Sequence, residues 1–429
     1  MKNSGIEWIG EIPDSWELQP LRGHLIEIKE SNDPIQTRQV LSLTNKLGVI
    51  PYEEKGEQGN KSKENYNEYK LAYPNTIVAN SMNILIGSVG ICNYFGCVSP
   101  VYYVFKPKDE QELKFLDYIF QSQPFQKELR RYAKGILEIR LRVSANDILR
   151  RQVAFPSSQQ QKKIVDFLEA KLSQVDELIA NQQGQIEKLK EYKQSVITEA
   201  VTKGLDKSAP MKDSGIEWIG KIPAHWDTIK IKFTSWLKGR IGWDGLKSTE
   251  FIEEGPFLIT GTDFENGSIN WDSCVHISEQ RFMEDELLHI KENDLLITKD
   301  GTIGKLAIVR NCPEKVSLNS GVMIIRNLTD FKYFDKYLYY LLQSRQFLLW
   351  YELSQSGGST IRHLYQGQFY NFEYTYPSFN EQKEIAFYLD EKCGKIDRLI
   401  AIKQEKIEKL QEYKKSLIYE YVTGKKEVV

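Results

Sequence analysis

The sequence predicts a mixed α+β fold: two globular α/β domains separated by two long antiparallel coiled-coil helices, with a pseudo-twofold internal repeat. Three observations predict it. Ser4-Gly5-Ile6-Glu7-Trp8-Ile9-Gly10, followed by Ile12-Pro13 and Trp16, returns 210 residues later as Ser214-Gly215-Ile216-Glu217-Trp218-Ile219-Gly220, with Ile222-Pro223 and Trp226. Ile186-Glu187-Lys188-Leu189, with Glu191-Tyr192-Lys193 and Ser195, returns at an offset of 221 as Ile407-Glu408-Lys409-Leu410, with Glu412-Tyr413-Lys414 and Ser416. Between these paired segments the two halves hardly resemble each other, so a shared frame carries two different inserts.

The first domain is assigned to residues 1–156 and opens on the repeated motif at 4–16. Ile-Pro with a nearby tryptophan makes a rigid apolar corner. Trp8, Pro13 and Trp16, with their counterparts Trp218, Pro223 and Trp226, are therefore read as structural, packing against a rod end with Trp16 and Trp226 as anchors. In the inserts, Thr76–Ala79, Val101–Phe105, Leu295–Thr298 and Val322–Arg326 read as strands between glycine-bearing turns. Leu113–Gln121 and Phe331–Gln343 read as short helices.

Residues 157–204 form the first rod. Apolar positions recur at Ile164, Leu168, Leu172, Val175, Ile179, Ile186, Leu189, Val196 and Ala200, with Gln182 and Lys193 filling the remaining seam positions. A linker, 205–213, leads to the second domain, 214–377, whose corner is 214–226. The second rod, 378–424, repeats the seam as Ile385, Leu389, Cys393, Ile396, Ile400, Ile407, Leu410, Leu417 and Tyr421, interrupted by Lys403 and Lys414. Steps of three and four between charged flanks mark a helix seeking a partner helix. Ser157 with Gln160 and Ser378 with Glu381 are capping boxes, and Pro156 and Pro377 stop each helix extending backwards. Forty-odd residues make a rod on the order of 65 Å long. One apolar seam cannot hold such a rod alone in water, and the nearest partner is the other copy. The short linker places the second insert at the far end of the first rod, which predicts an antiparallel pair; parallel rods pairing with other chains are the alternative.

Composition narrows the function. The chain has 429 residues, 41% hydrophobic and 27% charged, enough for two or three domains with their own cores. It has no run of about 18 apolar residues to span a membrane, and its opening lacks a signal-peptide core. Cys92, Cys97, Cys274, Cys312 and Cys393 show no zinc spacing and fit a reducing cytoplasm better than a disulfide framework. No phosphate-binding loop is present: Gly301-Thr302-Ile303-Gly304-Lys305 has the wrong spacing. Asn/Asp-Pro-Pro-Tyr and His-Glu-x-x-His are absent too. Asp390-Glu391-Lys392 and Glu412-Tyr413-Lys414 mimic nuclease triplets but fall on the rods, where such residues form a solvated face. The chain reads as non-catalytic, with no metal site.

A net charge of −2 means that any nucleic-acid role rests on local patches. Lys127, Arg130, Arg131, Lys134, Arg140, Arg142, Arg150 and Arg151 stand against Glu128, Glu138 and Asp147. Lys230, Lys232, Lys238, Arg240 and Lys247 stand against Asp244, interleaved with Phe233, Trp236 and Trp243. Such residues neutralise phosphates, and arginine can also fork onto a guanine edge. Two loops add candidates: Lys299-Asp300-Gly301-Thr302 after a strand, and Gly357–Arg362, with Thr360 and Arg362, before the second rod. Asn80-Ser81-Met82-Asn83 and Gly135–Arg142 occupy similar places in the first insert. The DNA-binding candidates are thus Arg130, Arg131, Lys134, Arg140, Arg142, Ser81, Asn83, Lys238, Arg240, Trp243, Lys247, Lys299, Thr302, Thr360 and Arg362.

With those residues in place, the chain resembles a specificity subunit of a type I restriction–modification system. The resemblance rests on the Gly-Ile-Glu-Trp-Ile-Gly-x-Ile-Pro-x-x-Trp opening in both halves, on Pro-x-x-x-x-Gln at each rod start (Pro156 with Gln161, Pro377 with Gln382), and on the Ile-Glu-Lys-Leu-x-Glu-Tyr-Lys repeats. It implies that the inserts are target-recognition domains reading the two halves of a bipartite double-stranded DNA site, and that the rods set their spacing. It implies docking of two modification (adenine methyltransferase) subunits and of restriction (translocase and nuclease) subunits. S-adenosylmethionine, ATP and Mg would belong to those partners, and this chain would hold no cofactor. Since the inserts differ, the expected target is asymmetric. The competing reading is a helical-hairpin scaffold whose inserts bind other proteins.

Overall fold

The computed structural model describes residues 1–44, 47–55, 65–108, 113–135, 141–240, 245–329, 332–355 and 363–428. The chain divides into two compact units, Met1–Gln183 with Gln404–Val429, and Gly184–Lys403. Each rod therefore contributes one part to each unit.

The amino-terminal unit is built on a four-stranded antiparallel sheet ordered Leu25–Ile28, Tyr102–Pro107, Thr76–Asn80, Val89–Cys92. Side chains alternate across a strand, and here both faces are covered. Ile77, Ala79 and Phe105 pack with the helix Leu113–Gln121 and with Leu168 and Leu417 of the rods. Val78, Cys92 and Val104 pack on the other face with Leu41, Leu43 and Val49 of a small hairpin. That double burial explains why every residue of Thr76–Asn80 is buried rather than every second one.

The carboxy-terminal unit repeats this plan with different residues. Its sheet runs Ser235–Gly239, Val322–Asn327, Leu295–Thr298, Leu306–Ile308, again antiparallel throughout. Ile297, Met323 and Ile325 face the helices and rods, while Leu296, Ala307 and Ile324 face a second apolar layer. The four expected strands are all strands, to within a residue or two at their ends. The helix Leu113–Gln121 forms with the expected bounds, and its counterpart spans Asp335–Leu341, inside the expected range.

The rods are the helices Ser158–Lys203 and Phe379–Val422. Both capping boxes form: the amide of Gln160 donates to Ser157 Oγ (3.4 Å) and that of Glu381 to Ser378 Oγ (3.3 Å), while each N3 side chain accepts from the serine amide. The Pro-x-x-x-x-Gln signature has a physical cause. Gln161 and Gln382 are buried, and their amides fold back onto the carbonyls of Pro156 (3.1 Å) and Pro377 (3.0 Å).

Most seam residues are buried, including Leu168, Leu172, Val175, Ile186, Val196, Leu389, Cys393, Ile396, Ile407 and Leu417. The polar interruptions reach across the seam. Lys193 donates to Asp397 (2.7 Å) in the carboxy-terminal unit, and Lys414 pairs with Asp176 in the amino-terminal one. These two pairs occupy the same positions of the 221-residue repeat. In each unit rising numbers on one rod meet falling numbers on the other: Gln185 with Lys403 and Lys193 with Asp397, then Phe167 with Tyr421 and Asp176 with Lys414. The rods are antiparallel within both units, as expected.

The corners pack on rod ends, also as expected. Trp226 lies in one core with Val196, Ala200 and Val201, and Trp16 in another with Leu417, Tyr421 and Val422. Each rod stops at a left-handed glycine pressed against its corner. A Cβ on Gly204 (φ +73°) would lie 3.1 Å from the Trp226 ring; one on Gly424 (φ +70°) would lie 2.4 Å from Pro13. The other four repeat residues follow suit: Pro13 and Pro223 are buried, Trp8 packs on Phe125, and Trp218 donates to the carbonyl of Glu373 (2.9 Å).

Candidate nucleic-acid interface

In each unit one loop leaves the central strand and another returns towards the rod, and the same backbone bond joins them. The amide of Val143 donates to the carbonyl of Ser81 (3.2 Å), and that of Leu364 to the carbonyl of Lys299 (3.0 Å). Ser81 and Lys299 are thus bonded at corresponding places of the two inserts, in each case by a residue just beyond the returning loop; Gly357–Arg362 itself lies outside the described residues.

In the amino-terminal unit the returning loop is closed at its base by reciprocal backbone bonds between Lys134 and Arg142 (2.8 and 2.9 Å), which leave both side chains exposed. Arg130 is exposed at the end of the helix Gln123–Arg130. Asn83 is exposed on the short turn Asn83–Ile86, its amide held by Asn80 Oδ1 (3.3 Å). Arg131 has a divided role. It is solvent-facing but bonds Glu7 of the corner (2.5 Å) and Glu128 (3.2 Å), and its guanidinium holds the Glu7 carboxyl below the usual carboxylate range. Arg151 is committed internally, stacked 3.5 Å from the Tyr132 ring centroid and bonded to the Asp147 carbonyl.

Three expectations are corrected by burial. Ser81 is buried, and its backbone rather than its hydroxyl does the joining. Arg240 is 2% exposed, with its guanidinium on the Leu318 carbonyl (3.1 Å) and on Ser317. Lys299 is 7% exposed and donates to the Arg240 carbonyl (3.2 Å); burial holds its ammonium below the ordinary lysine range, against the opposing pull of Asp300. Arg240 and Lys299 brace the base of the loop from inside. Among its described residues the basic run Lys230–Lys247 consequently makes no continuous patch. It crosses the strand Ser235–Gly239, where alternation turns every second residue inward, and Lys238 is paired with Asp285 (3.1 Å).

Lys247 and Thr302 are exposed, Thr302 on a turn where the Thr298 hydroxyl donates to its carbonyl (2.6 Å). Arg140, Trp243, Thr360 and Arg362 lie outside the described residues. The sequence reading missed His363, which pairs with Asp300 and so ties its own segment to the first loop. It also missed the bidentate pair of Arg326 with Asp294 (2.6 and 2.7 Å) under the sheet. Both join residues more than thirty positions apart, where no local pattern signals them. Among the described residues no group of His, Cys, Asp and Glu could hold a metal ion, and no helix is long and apolar enough to cross a membrane.

The sequence model of the type I restriction modification DNA specificity domain matches this chain twice, over residues 16–191 and 245–412. This chain belongs to the type I restriction–modification specificity family. Among its relatives, the type I restriction enzyme MjaVIII specificity subunit of Methanocaldococcus jannaschii is 27% identical over 330 residues, 74% of this chain and 72% of that one. The putative MjaX specificity subunit of the same organism is 23% identical over 97% of this chain and 95% of its own length. The EcoBI specificity subunit of Escherichia coli is 26% identical over 54% of this chain and 49% of its own. Solved structures share the fold at 14% identity. One is a chain from a study of complex assembly and conformational transition of the type I R-M system (TM-score 0.71, 96% of this chain, 98% of that one). Another is the HsdS subunit of Thermoanaerobacter tengcongensis (TM-score 0.51, 99% and 100%). The chain is thus a specificity subunit with two target-recognition domains.

Proposed function

We propose that this specificity subunit reads an asymmetric bipartite double-stranded DNA site, one half-site per insert, and performs no bond-making itself. The observation that carries the reading is the loop pair joined by the same backbone bond in both units, Ser81 with Val143 and Lys299 with Leu364, on matching sheets but with different side chains. Equal scaffolds with unequal loops suit two readers of different sequence. Lys134, Arg142, Arg130 and Asn83 would face one half-site, and Lys247 and Thr302 the other, with Arg140, Trp243, Thr360 and Arg362 as further candidates. Mapping methylated adenines in the host genome with and without the gene tests this. A gene-dependent asymmetric bipartite motif is expected; a palindrome, or no dependence, overturns it. Loss of binding with rising salt, together with preference for that motif, is the accompanying signature. No DNA binding even at low salt would support the helical-hairpin scaffold instead.

Two modification subunits would dock on the rods, and restriction subunits would join the complex. Leu178 and Leu399 are related by the 221-residue offset and are each 47% exposed; Tyr192 and Tyr413, related likewise, are 57% and 48% exposed. The seam does not use these four. The register within each unit puts Leu178 level with Tyr413, and Leu399 level with Tyr192. Two equal apolar spots on charged helices suit two copies of one partner. S-adenosylmethionine, ATP and Mg would be used by those partners, in the cytoplasm where the DNA lies. The rods would set the spacing: one heptad added to each, about 10 Å of helix, should lengthen the unspecified spacer between unchanged half-sites. An unchanged spacer would refute the ruler.

A further inference from the structure

The two sheets share a plan, yet their outer edges are finished differently. In the carboxy-terminal unit a hairpin, Phe264–Glu265 with Ser268–Ile269, lies along the edge strand Leu306–Ile308. Its turn carbonyl, on Gly267, accepts the amide of Ile308 (2.9 Å). A Cβ on Gly267 would sit 2.3 Å from the Tyr339 hydroxyl, so the turn is wedged between the strand and the helix Asp335–Leu341. Only about 380 Å³ remains open beside it.

In the amino-terminal unit the corresponding edge is Val89–Cys92. The bond from the Asn80 amide to the Ser88 carbonyl (3.0 Å) sets the ladder, so Gly90 and Cys92 bond inward while Val89 and Ile91 turn their backbone groups outward. Gln121 donates to the Val89 carbonyl (3.0 Å) and the Val89 amide donates to the Gly87 carbonyl (2.8 Å), so of the two it is Ile91 whose backbone groups have no partner among the described residues. Ile91 holds the position of Ile308, and no residue among those described plays the part of Gly267. A groove of about 1230 Å³ lies there instead, walled by the sheet edge, the helix Leu113–Gln121 and the rod segments of the same unit. Ile86 and Leu47 line it and are 67% and 68% exposed. Its charges are unbalanced. Lys114 is paired with Asp117 and Lys414 with Asp176; of the remaining charged residues on its wall, Lys127, Arg130 and Lys415 outnumber the single exposed carboxylate, Glu169, and Lys127 and Lys415 make no ion pair among the described residues.

We propose that this groove receives an extended, acid-bearing segment of a modification subunit, which adds to the sheet at Ile91 as Gly267 does at Ile308. An open strand edge with flanking apolar walls is the ordinary receptor for an added strand. The cations Lys127 and Lys415 select acidic side chains on the segment. The apolar walls and backbone edge favour a polypeptide over a phosphate backbone. The two modification subunits are then held unequally, one with an added strand and one without. The inference rests on the docking reading above.

Amide hydrogen exchange of the full chain, alone and with its modification subunits, tests it. The Ile91 amide should exchange at least about tenfold more slowly in the complex, while the Ile308 amide changes little. The double variant Lys127→Glu/Lys415→Glu, which alters only exposed positions, should weaken one of the two bound subunits by about tenfold and spare the other. A complex with two subunits and no added protection at Ile91 overturns the inference and leaves docking intact. Protection of Ile91 by a mixed-sequence DNA duplex alone, without the subunits, assigns the groove to DNA and also overturns it. Absence of any complex overturns the docking reading and the inference together.

Discussion

The two corners are near copies, but they are closed differently. In the carboxy-terminal unit the first rod runs through Gly204 and a short linker directly into the corner it packs on. In the amino-terminal unit the corner at residues 4–16 and the rod end at 417–424 are distant in sequence and meet through side chains: Tyr419 donates to the Trp8 carbonyl (3.2 Å) and Lys425 to that of Glu11 (2.7 Å). The same surfaces thus hold one junction with help from the chain and the other without it. Side-chain complementarity is the shared cause, and connectivity is the variable.

Truncating the anchors should produce the largest effect. Trp16→Ala and Trp226→Ala each remove a buried indole and should cost about 3–5 kcal/mol. Trp226→Ala should cost more, because its Nε1 also satisfies Glu381 (3.1 Å). Chemical denaturation checks both, and a small effect at either position would break the equivalence of the corners. Next come the glycines. Gly424→Ala should cost about 2–3 kcal/mol and Gly204→Ala about 1–2 kcal/mol, since both add a left-handed penalty but only the first drives a Cβ into Pro13. Equal losses would show that Pro13 yields.

A subtler contrast lies in the caps. The first rod is capped by Gln160 and the second by Glu381, at the same position of the repeat. Burial pushes the Glu381 carboxyl up, but bonds from His225, Trp226 and Ser378 outweigh it and leave the group below its ordinary value of 4.5. A depressed carboxylate contributes stability that is present above the unfolded value and lost as the pH falls through the folded one. Below about pH 4.5, amide exchange at the start of the second rod should therefore accelerate while the first rod's start is unaffected, and Glu381→Gln should abolish the difference. Smallest of all, Lys193→Ala and Lys414→Ala should each cost about 0.2–1 kcal/mol, and by similar amounts, because each removes a pair whose carboxylate is more than half exposed. Double-mutant cycles with Asp397 and Asp176 would expose any inequality between the units.

Much of the frame was legible because its signals are local. A capping box, a proline before it and a three-four seam all act within a turn or two of helix, so Ser157–Gln160 and Ser378–Glu381 could be read directly. Strand runs such as Thr76–Asn80 were legible for the same reason. The equal sheet order of the two inserts was not: Ile77 and Leu295 fill equivalent places with no resemblance in their flanks. The DNA-facing candidates were the least legible. A count of charges along Lys230–Lys247 cannot tell Lys247, which is exposed, from Arg240, which crosses under the strand to Leu318.

The sequence by itself determined the rods, their caps, the corners and the presence of two unlike inserts, because each of these depends on residues within a few positions or on exact repetition. Only the tertiary structure decided that the inserts share one sheet, that Arg240 and Lys299 brace a loop rather than face solvent, and that a hairpin covers one sheet edge while no described residue takes its place on the other. Those outcomes depend on which distant segments meet, and burial on a two-sided sheet is set by partners that no local pattern names.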